Sequence, residues 1–458
     1  MQRGAKMCAE LNDPAAVELL LEILGRTTVS GMEYLPAPHY RDVSWDGLVA
    51  IKDPYARQRV EEELKENKDS AWVRQWCAEL LGIYGVRDYG PALRRALSDK
   101  DDGVRRAAAR SLGQVGDPEA VPALRKLVEH KDALLRANAT EALARIDPEA
   151  HRALLLSAVA SDKDGGVRCA LLAAAAEILP GEAEGLAAAA LKDEDWRPRM
   201  QAVELLAVIQ TKAAVDALLL ALDDGRPAVA ARAEHALAEM TGEKHTRPET
   251  WRKWWADHRE SFAFPDGAGA GRDVGEEHTT AASYYGLPVE SDHVAFLIDK
   301  SQAMGERLTS VQKSKDEAAF EELSKVLAAL QGRLTFNVHL YNQEIATFEK
   351  SPVALDKKSE KRALLFVQED KLAGHKDIWQ MLEVLLADPT IDTAYLLSSG
   401  EPDVGTYVHS NRVTWHLKDL NRFRKVRIHT IAYSDTKLYR DQLEQIAQAT
   451  GGEFRWFE

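Results

Sequence analysis

The sequence has few cysteines, no long apolar runs and no excess of basic charge. Its three cysteines, Cys8, Cys77 and Cys169, form no Cys-x-x-Cys pair among 458 residues, which excludes a disulfide framework. The apolar stretches fall well short of the ~20 residues that a membrane-spanning helix needs. No apolar signal-peptide core follows Met1. Stability must therefore come from packing, and we expect no membrane span.

Acidic residues outnumber basic residues in both halves of the chain. Residues 1–260 hold 36 basic against 43 acidic residues, and residues 261–458 hold 23 against 30, so each half has a net charge of −7. Non-specific affinity for nucleic acid comes largely from Lys and Arg that neutralise phosphates. We therefore expect no nucleic-acid partner. The sequence also lacks His-Glu-x-x-His, P-loop and Gly-x-Ser-x-Gly motifs, so we predict no catalytic residues and no enzyme.

Composition divides the chain into two parts. All ten phenylalanines lie at or after Phe262, and the part before it is dense in Ala and Leu. A glycine-rich stretch, residues 264–271 (FPDGAGAG), has no apolar period and is typical of a linker. We predict a helical solenoid over 1–245, a Trp-rich capping helix over 246–262, a linker over 263–290 and a sheet domain over 291–458.

Arginines recur in register through the first part, at spacings of 33, 31, 31, 32 and 31 residues. They are Arg41, Arg74, Arg105, Arg136, Arg168 and Arg199. Each unit combines an Ala/Leu helix, a short turn and a second Leu-rich helix, often started by Asp-Pro. This period predicts an all-α solenoid, and the residues resemble short HEAT-like repeats of the PBS-lyase type. We interpret the arginines as an internal ladder bonded to turn carboxylates or carbonyls, with a ligand-binding stripe as the alternative.

The two ends of the solenoid carry further predictions. Trp251, Trp254, Trp255 and His258 lie on one face of a helix, which favours a terminal cap, with an exposed partner surface as the alternative. Residues 4–11 are typical of the last turns of a helix, so we expect the chain to begin within a repeat. As given, the protein is predicted to be soluble and cytoplasmic, while an upstream export signal remains open.

From residue 293 onward, apolar strands alternate with helices. Strands are predicted at 293–298, 334–341, 345–348, 393–397, 426–433 and 453–456, and helices at 309–330, 359–371, 378–387, 412–421 and 437–449. Continuous apolar strands in this alternation predict an α/β doubly wound, mostly parallel, Rossmann-like sheet. Ligands of such sheets bind at the carboxyl ends of the strands.

Three segments of the sheet domain resemble the motifs of von Willebrand factor A (VWA) domains. Residues 296–304 (FLIDKSQAM) resemble D-x-S-x-S-M, residues 374–378 (GHKDI) resemble G-x-T-D-I, and residues 397–402 (LSSGEP) resemble L-[TS]-D-G-E-P. The resemblance covers about 165 residues. It implies a metal-ion-dependent adhesion site, in which two Asp, two Ser and one Thr hold Mg²⁺ through hard oxygen ligands.

This sequence departs from that site at three of five positions. Asp299 and Ser301 match the motif, but Ala303, Lys376 and Ser399 replace the second serine, the threonine and the second aspartate. These changes add two positive charge units, which is the charge of the missing ion. We hypothesise that the Lys376 ammonium lies near Asp299 and substitutes for the metal, so that no cofactor is bound.

An alternative is that Asp299 and Ser301 retain weak Mg²⁺ binding, with Asp377 and Asp403 completing an atypical site. The basic runs at 357–362 and 422–427 are interpreted as solvated surface.

The predicted function is therefore that of a non-enzymatic interaction or scaffold protein, similar to bacterial proteins that join HEAT-like repeats to a VWA domain with a degenerate adhesion site. Its partner would be another protein. Two alternatives remain open at this stage. One is an Mg²⁺-dependent adhesion or chaperone-like module, and the other is an RNA-binding protein similar to the Ro autoantigen, which the acidic charge disfavours.

Overall fold

The structure, a computed structural model, describes residues 14–25, 37–264, 282–308, 312–400, 402 and 404–458. Cys8, the start of the chain at residues 4–13, most of the glycine-rich stretch and Asp403 lie outside the described residues, and so does the side chain of Arg41. The chain divides into two compact units, Met1–Ala183 and Glu184–Glu458. No described helix has the length and apolar character required to cross a membrane.

The helical repeat region contains fifteen described α-helices and three short 3₁₀ helices, Arg87–Tyr89, Pro118–Ala120 and Pro180–Glu182. The α-helices in chain order are α1 Pro14–Gly25, α2 Ala37–Ala50, α3 Pro54–Glu66, α4 Ala71–Tyr84, α5 Gly90–Ala96, α6 Asp102–Val115, α7 Val121–Arg125, α8 Ala133–Ile146, α9 Pro148–Ser161, α10 Gly165–Ile178, α11 Ala183–Ala190, α12 Trp196–Val208, α13 Lys212–Ala221, α14 Pro227–Thr241 and α15 Pro248–His258. Asp-Pro starts two of them as predicted, because Asp53 and Asp147 cap α3 and α9 with proline in the first turn.

The arginine ladder is internal, as predicted. Arg136 donates from Nε and Nη2 to the two carboxylate oxygens of Asp162, at 2.7 and 2.8 Å, and from Nη1 to the His130 carbonyl at 2.8 Å. Arg74 with Asp99 and Arg199 with Asp224 repeat the bidentate pairing. Arg105 and Arg168 bind turn carbonyls. Arg74, Arg136 and Arg199 thereby each tie their own helix to the turn that precedes it and to a later turn.

The sheet domain contains nine described strands and five described α-helices. They are β1 Ser283–Tyr284, β2 Leu287–Pro288, β3 His293–Asp299, α16 Lys315–Ala329, β4 Thr335–Tyr341, β5 Ile345–Thr347, β6 Val353–Ala354, α17 Lys357–Glu369, α18 Ile378–Ala387, β7 Thr393–Ser398, α19 Ser410–Arg424, β8 Arg427–Ala432, α20 Lys437–Thr450 and β9 Phe454–Trp456. The main sheet has the order β5-β4-β3-β7-β8-β9, with β6 also paired to β4. Strands β4, β3, β7, β8 and β9 are parallel and β5 and β6 are antiparallel, which confirms the predicted doubly wound, mostly parallel sheet.

Both faces of the central strand are buried. Val294, Phe296 and Ile298 belong to one core cluster with apolar residues of α16 and α17. Ala295 and Leu297 alternate with them and are also fully buried, because successive side chains of a strand point to opposite faces. A strand of this kind must be apolar throughout, which explains the continuous run that marks it in the sequence.

The predicted linker 263–290 is wrong at its C-terminal end, where the chain is already part of the sheet domain. Residues 283–288 form the small β1-β2 hairpin, and Tyr284 and Leu287 are completely buried in the core cluster that contains Phe296. Tyr395 also donates a hydrogen bond to the Pro288 carbonyl at 2.6 Å. The hairpin is therefore an integral part of the sheet domain, since its aromatic side chains complete that core.

The last repeats pack against the sheet domain within the second compact unit. Arg226, just before α14, binds the carboxylate of Asp392, and Arg197 donates to the Phe423 carbonyl at 3.2 Å. Lys425 pairs with Glu204. The boundary between the two compact units, after Ala183, lies within the repeats. These contacts also correct the prediction for 422–427, because this basic run contacts the repeats instead of covering solvated surface.

Candidate functional site

The adhesion-site positions meet at the carboxyl edge of the sheet, where the strand order reverses between β3 and β7. Asp299 ends β3, and Ser301 opens the 3₁₀ turn Gln302–Gly305 that contains Ala303. Ser399 directly follows β7, and Lys376 lies two residues before α18. The chain runs from β3 to β4 on one side, while β7 lies on the other. Open parallel sheets form their ligand crevices at such a switch point.

Asp299 is fully buried and its carboxylate accepts three hydrogen bonds. Oδ1 accepts from the Ser301 backbone N–H at 2.7 Å, and Oδ2 accepts from the backbone N–H and the hydroxyl of Ser399, at 2.8 and 2.6 Å. The replacement of an aspartate by Ser399 thus adds a hydroxyl that donates to the carboxylate. A buried carboxylate needs such donors because its charge is otherwise costly to desolvate.

Lys376 lies beside that carboxylate. Its Nζ is 3.9 Å from Asp299 Oδ2, and the Lys376 side chain is only 7% exposed. The structure thus brings together Asp299, Lys376 and Ser399 in the manner that the charge hypothesis requires. The hydroxyl oxygens of Ser301 and Ser399 lie 3.4 Å apart. Ala303 is half-buried and offers no side-chain oxygen.

A cleft of about 700 Å³ opens above these residues. Lys376, Ser399 and Ala303 line it together with Arg307 and Lys315 from the segment that follows β3. Lys315 pairs with Glu306 at 2.6 Å. The segment from the end of β8 to the start of α20 also lines the cleft, with Tyr433, Ser434, Thr436 and Tyr439. The cleft is therefore polar and accessible from solvent.

The donor set does not match the requirements of Mg²⁺. Mg²⁺ demands near-octahedral coordination by oxygen atoms. The five positions supply one carboxylate and two hydroxyls, and an ammonium lies within 4 Å of the carboxylate. Asp377 caps α18 by accepting from the Gln380 N–H at 2.9 Å, and its burial raises the pKa of its carboxyl. Asp377 thus caps the helix through one carboxylate oxygen, and Asp403 lies outside the described residues.

The alternative prediction that the tryptophans form an exposed partner surface is wrong for Trp251 and Trp255, which are buried. Trp251 and Trp255 are 1% and 3% exposed and Trp254 is half-buried. Trp255 donates from Nε1 to Asp216 at 2.6 Å, and Trp254 stacks on His258 with ring centroids 5.2 Å apart. Packing against α13 buries Trp251 and Trp255, so the residues form the cap that the sequence favours. Cys77 and Cys169 are also buried, as predicted.

A cluster at the opposite edge of the sheet was not predicted. Potential ligand atoms of Asp292, His293 and Asp392 lie within 4.8 Å of one another. Asp392, however, accepts hydrogen bonds from Ser291 and Thr393 and pairs with Arg226. The cluster therefore joins the repeats to the sheet. In the sequence, Asp292 and Asp392 each stand directly before a predicted strand. This pattern could have indicated the cluster only if β3 and β7 were already known to be neighbours.

Comparisons with known proteins gave matches to the helical repeats and to the sheet domain. A profile described as HEAT repeats matches residues 58–144 and 90–176. The search of curated proteins gave no match. Among solved structures, a von Willebrand factor type A protein from Catenulispora acidiphila is similar at 15% identity and a TM-score of 0.31, covering 36% of this chain and 38% of that one. The match thus spans well under half of that relative's length.

Two further solved structures are similar to the chain. The complex of CpcE and CpcF of phycocyanin lyase from Nostoc sp. PCC7120 matches at 18% identity with a TM-score of 0.31, covering 51% of this chain and 86% of that one. Human deoxyhypusine hydroxylase matches at 19% identity with a TM-score of 0.28, covering 54% and 93%. Likenesses at these TM-scores carry no information on activity. The N-terminal region contains HEAT repeats, and it is followed by a sheet domain whose fold is consistent with a VWA domain.

Proposed function

We propose that this protein is a non-enzymatic interaction scaffold, in which a HEAT-repeat surface and the carboxyl edge of a VWA-like domain bind other proteins without a metal ion. Both folds offer broad surfaces for protein binding, although a fold alone does not specify a function. The position of Lys376 beside Asp299 is the observation that carries the metal-independent part of the proposal.

Charge balance supports the replacement of the metal by Lys376. In the adhesion-site motif, two aspartates offset a divalent cation, so the three groups sum to zero. Here Asp299 and Lys376 also sum to zero, with no ion. The three hydrogen bonds to Asp299 further satisfy the carboxylate from within the chain. A metal cation bound to Asp299 would lie beside the Lys376 ammonium, and like charges in a buried setting repel strongly. Metal binding should therefore be disfavoured.

The arrangement of the second compact unit supports an accessible site. Arg226, Arg197 and Glu204 of the repeats contact residues at or before the starts of β7 and β8, which are the amino ends of these strands. The cleft lies at their carboxyl ends. The two ends of a strand face opposite edges of a parallel sheet, so these repeats of the second unit contact one edge and the cleft lies at the other.

Calorimetric titration with Mg²⁺ and Mn²⁺ tests the metal-independent site. We expect no binding to the unmodified protein, and metal binding in the triple variant Ala303→Ser/Lys376→Thr/Ser399→Asp, which restores all five motif positions. Asp299→Ala in the triple background is the matched control and should abolish the restored binding. Binding by the unmodified protein that disappears in Asp299→Ala would contradict the proposal.

Affinity capture tests the scaffold role. The tagged full chain should retain the same protein partners from its native lysate with and without EDTA, and Lys376→Glu should reduce retention of those that bind the cleft. Partners that are lost on chelation would favour the Mg²⁺-dependent alternative. Co-purifying nucleic acid, with the absorbance ratio of RNA, would favour the RNA-binding alternative.

A further inference from the structure

Four lysines occupy the same turn in four successive repeats of the first compact unit. Lys68, Lys100, Lys131 and Lys163 precede α4, α6, α8 and α10, at spacings of 32, 31 and 32 residues. Lys68 lies one residue earlier in its turn than the other three. All four side chains are exposed, and none makes an ion pair or hydrogen bond within the part of the chain that the structure describes. These residues are called the lysine row.

The aspartates of the same turns are bound from within the protein. Asp99 and Asp162 accept bidentate hydrogen bonds from ladder arginines. Asp101, Asp132 and Asp164 cap α6, α8 and α10 by accepting from backbone N–H groups. Arginines therefore offset the charges of Asp99 and Asp162 and helix caps occupy the other three carboxylates, whereas the ammonium groups of the lysine row face solvent. The same bonds hold the turns rigidly, so the lysines are presented at regular intervals.

Helix packing sets the distance between neighbouring lysines. Helices α4, α6, α8 and α10 pack side by side in chain order, and packed helix axes are about 8–10 Å apart. An extended peptide advances about 3.3 Å per residue. The distance between neighbouring lysines therefore corresponds to about three residues of an extended peptide, and the three steps of the row to about nine residues.

A cavity lies at the first step of the row. It measures about 590 Å³ and is lined by Lys68 and Lys100 together with Arg95. The Arg95 side chain is exposed and makes no ion pair with a described residue. Asp99, the carboxylate that lines the cavity, is already bound by Arg74. The cavity thus presents three available positive charges on a concave surface.

We propose that the lysine row and this cavity bind an extended acidic peptide segment of a protein partner, with a carboxylate at about every third residue. This inference rests on the proposed scaffold function but uses a surface that does not involve Asp299 or Lys376. A nucleic-acid backbone fits less well, since it carries one phosphate for each rise of about 3.4 Å along a duplex axis, so most of its charges would lie between the lysines. Such a backbone would also place phosphates against the exposed carboxylates of Asp69 and Asp102.

Fluorescence anisotropy with labelled probes and the full chain tests this proposal. The first probe is a peptide of about 13 residues with Glu at every third position and Gly and Ser between, and the second has the same composition with all Glu at one end. A single-stranded oligoribonucleotide of similar length is the third. We expect the spaced peptide to bind best and its affinity to fall as salt rises.

The variant Lys68→Gln/Lys100→Gln/Lys131→Gln/Lys163→Gln should bind the spaced peptide at least about tenfold more weakly, since each exposed ion pair contributes a factor of up to about five. The matched control changes four exposed lysines of the sheet domain to glutamine, namely Lys357, Lys358, Lys361 and Lys371. It has the same net charge as the lysine-row variant and should bind like the unmodified protein.

Several results would overturn the proposal. These are no binding of the spaced peptide, equal loss in both quadruple variants, equal affinity for the clustered peptide, or tighter binding of the oligoribonucleotide. Because the probes are defined, the result does not depend on capture of a native partner. Loss of peptide binding with retained partners would refute the lysine row alone, whereas peptide binding without partners would refute the broader scaffold role.

Discussion

Removal of one ladder arginine should destabilise the repeats around it strongly. In Arg136→Ala the Asp162 carboxylate, whose side chain is 9% exposed, loses two charge-assisted hydrogen bonds, and the His130 carbonyl loses a third. Breaking a buried pair by removing one partner costs about 3–5 kcal/mol. Asp162 keeps one donor, the Asp164 N–H at 2.9 Å, so we expect the lower end, about 3 kcal/mol.

Hydrogen exchange of the native protein is the appropriate assay, because repeat arrays open locally and a two-domain chain need not unfold in one step. A loss of about 3 kcal/mol corresponds to about a 150-fold faster exchange of protected amides in the opening unit. The effect should be largest in α8 and in the turn that contains Asp162. Amides of the sheet domain should exchange at the unmodified rate.

Arg152→Ala is the matched control. Arg152 pairs with Glu182 at 2.6 Å, but its side chain is 48% exposed, so solvent screens the pair and replaces its hydrogen bonds. We expect no measurable change in exchange. The double variant Arg136→Leu/Asp162→Leu should recover part of the loss, because it leaves no buried charge unpaired. Equal exchange in Arg136→Ala and Arg152→Ala would refute the interpretation that the ladder stabilises the repeats.

Three further changes have defined outcomes. Gly113→Ala should cost about 1–3 kcal/mol in thermal or urea unfolding, because a Cβ would lie 2.7 Å from the Ala142 Cα, whereas Gly185→Ala meets no atom within 4 Å and should be neutral or stabilising. Burial, aided by Arg427, lowers the pKa of His429 to about 3. In the unfolded state this histidine has a pKa of about 6.5, so below that pH the unfolded state binds more protons than the folded state. A drop from pH 7 to 5 should therefore lower the free energy of unfolding of the sheet domain by about 2 kcal/mol, and His429→Gln should remove this loss. Trp251→Ala should destabilise the cap by about 3–5 kcal/mol and expose residues near 242–262 to limited proteolysis, and an unchanged digestion pattern would contradict its role as a buried anchor.

The secondary structure of the sheet domain was largely predictable because each central strand is buried on both faces. The predicted strand 293–298 agrees with β3, and the predicted helix 378–387 agrees with α18. The β1-β2 hairpin was missed, since two-residue strands produce no detectable period and Tyr284 gains its role only by packing on Phe296 and Tyr395. Long periodic segments are recognisable locally, whereas short elements depend on distant contacts.

The sequence predicted which residues belong to the candidate site, but not the hydrogen bonds among them. Motif order identified Asp299, Lys376 and Ser399, but a motif does not specify that Ser399 donates two hydrogen bonds to Asp299 Oδ2. The partner surface at Trp251 and Trp255 was wrong because amphipathic spacing indicates an apolar face without indicating what covers it. The lysine row was also present in the sequence, although its aspartate neighbours concealed it until their internal partners were known.

Repeat period, helix caps, strand order along the chain and the charge change at the adhesion-site positions were determined by the sequence alone, because they depend on residue type and spacing. Tertiary structure decided which charges are offset and which face solvent. Arg136 and Lys131 are five residues apart, yet one is buried against Asp162 and the other is exposed. It also decided that Arg226 and Asp392 join the repeats to the sheet domain. Such pairings join residues far apart in the chain, and only folding brings their atoms within hydrogen-bonding distance.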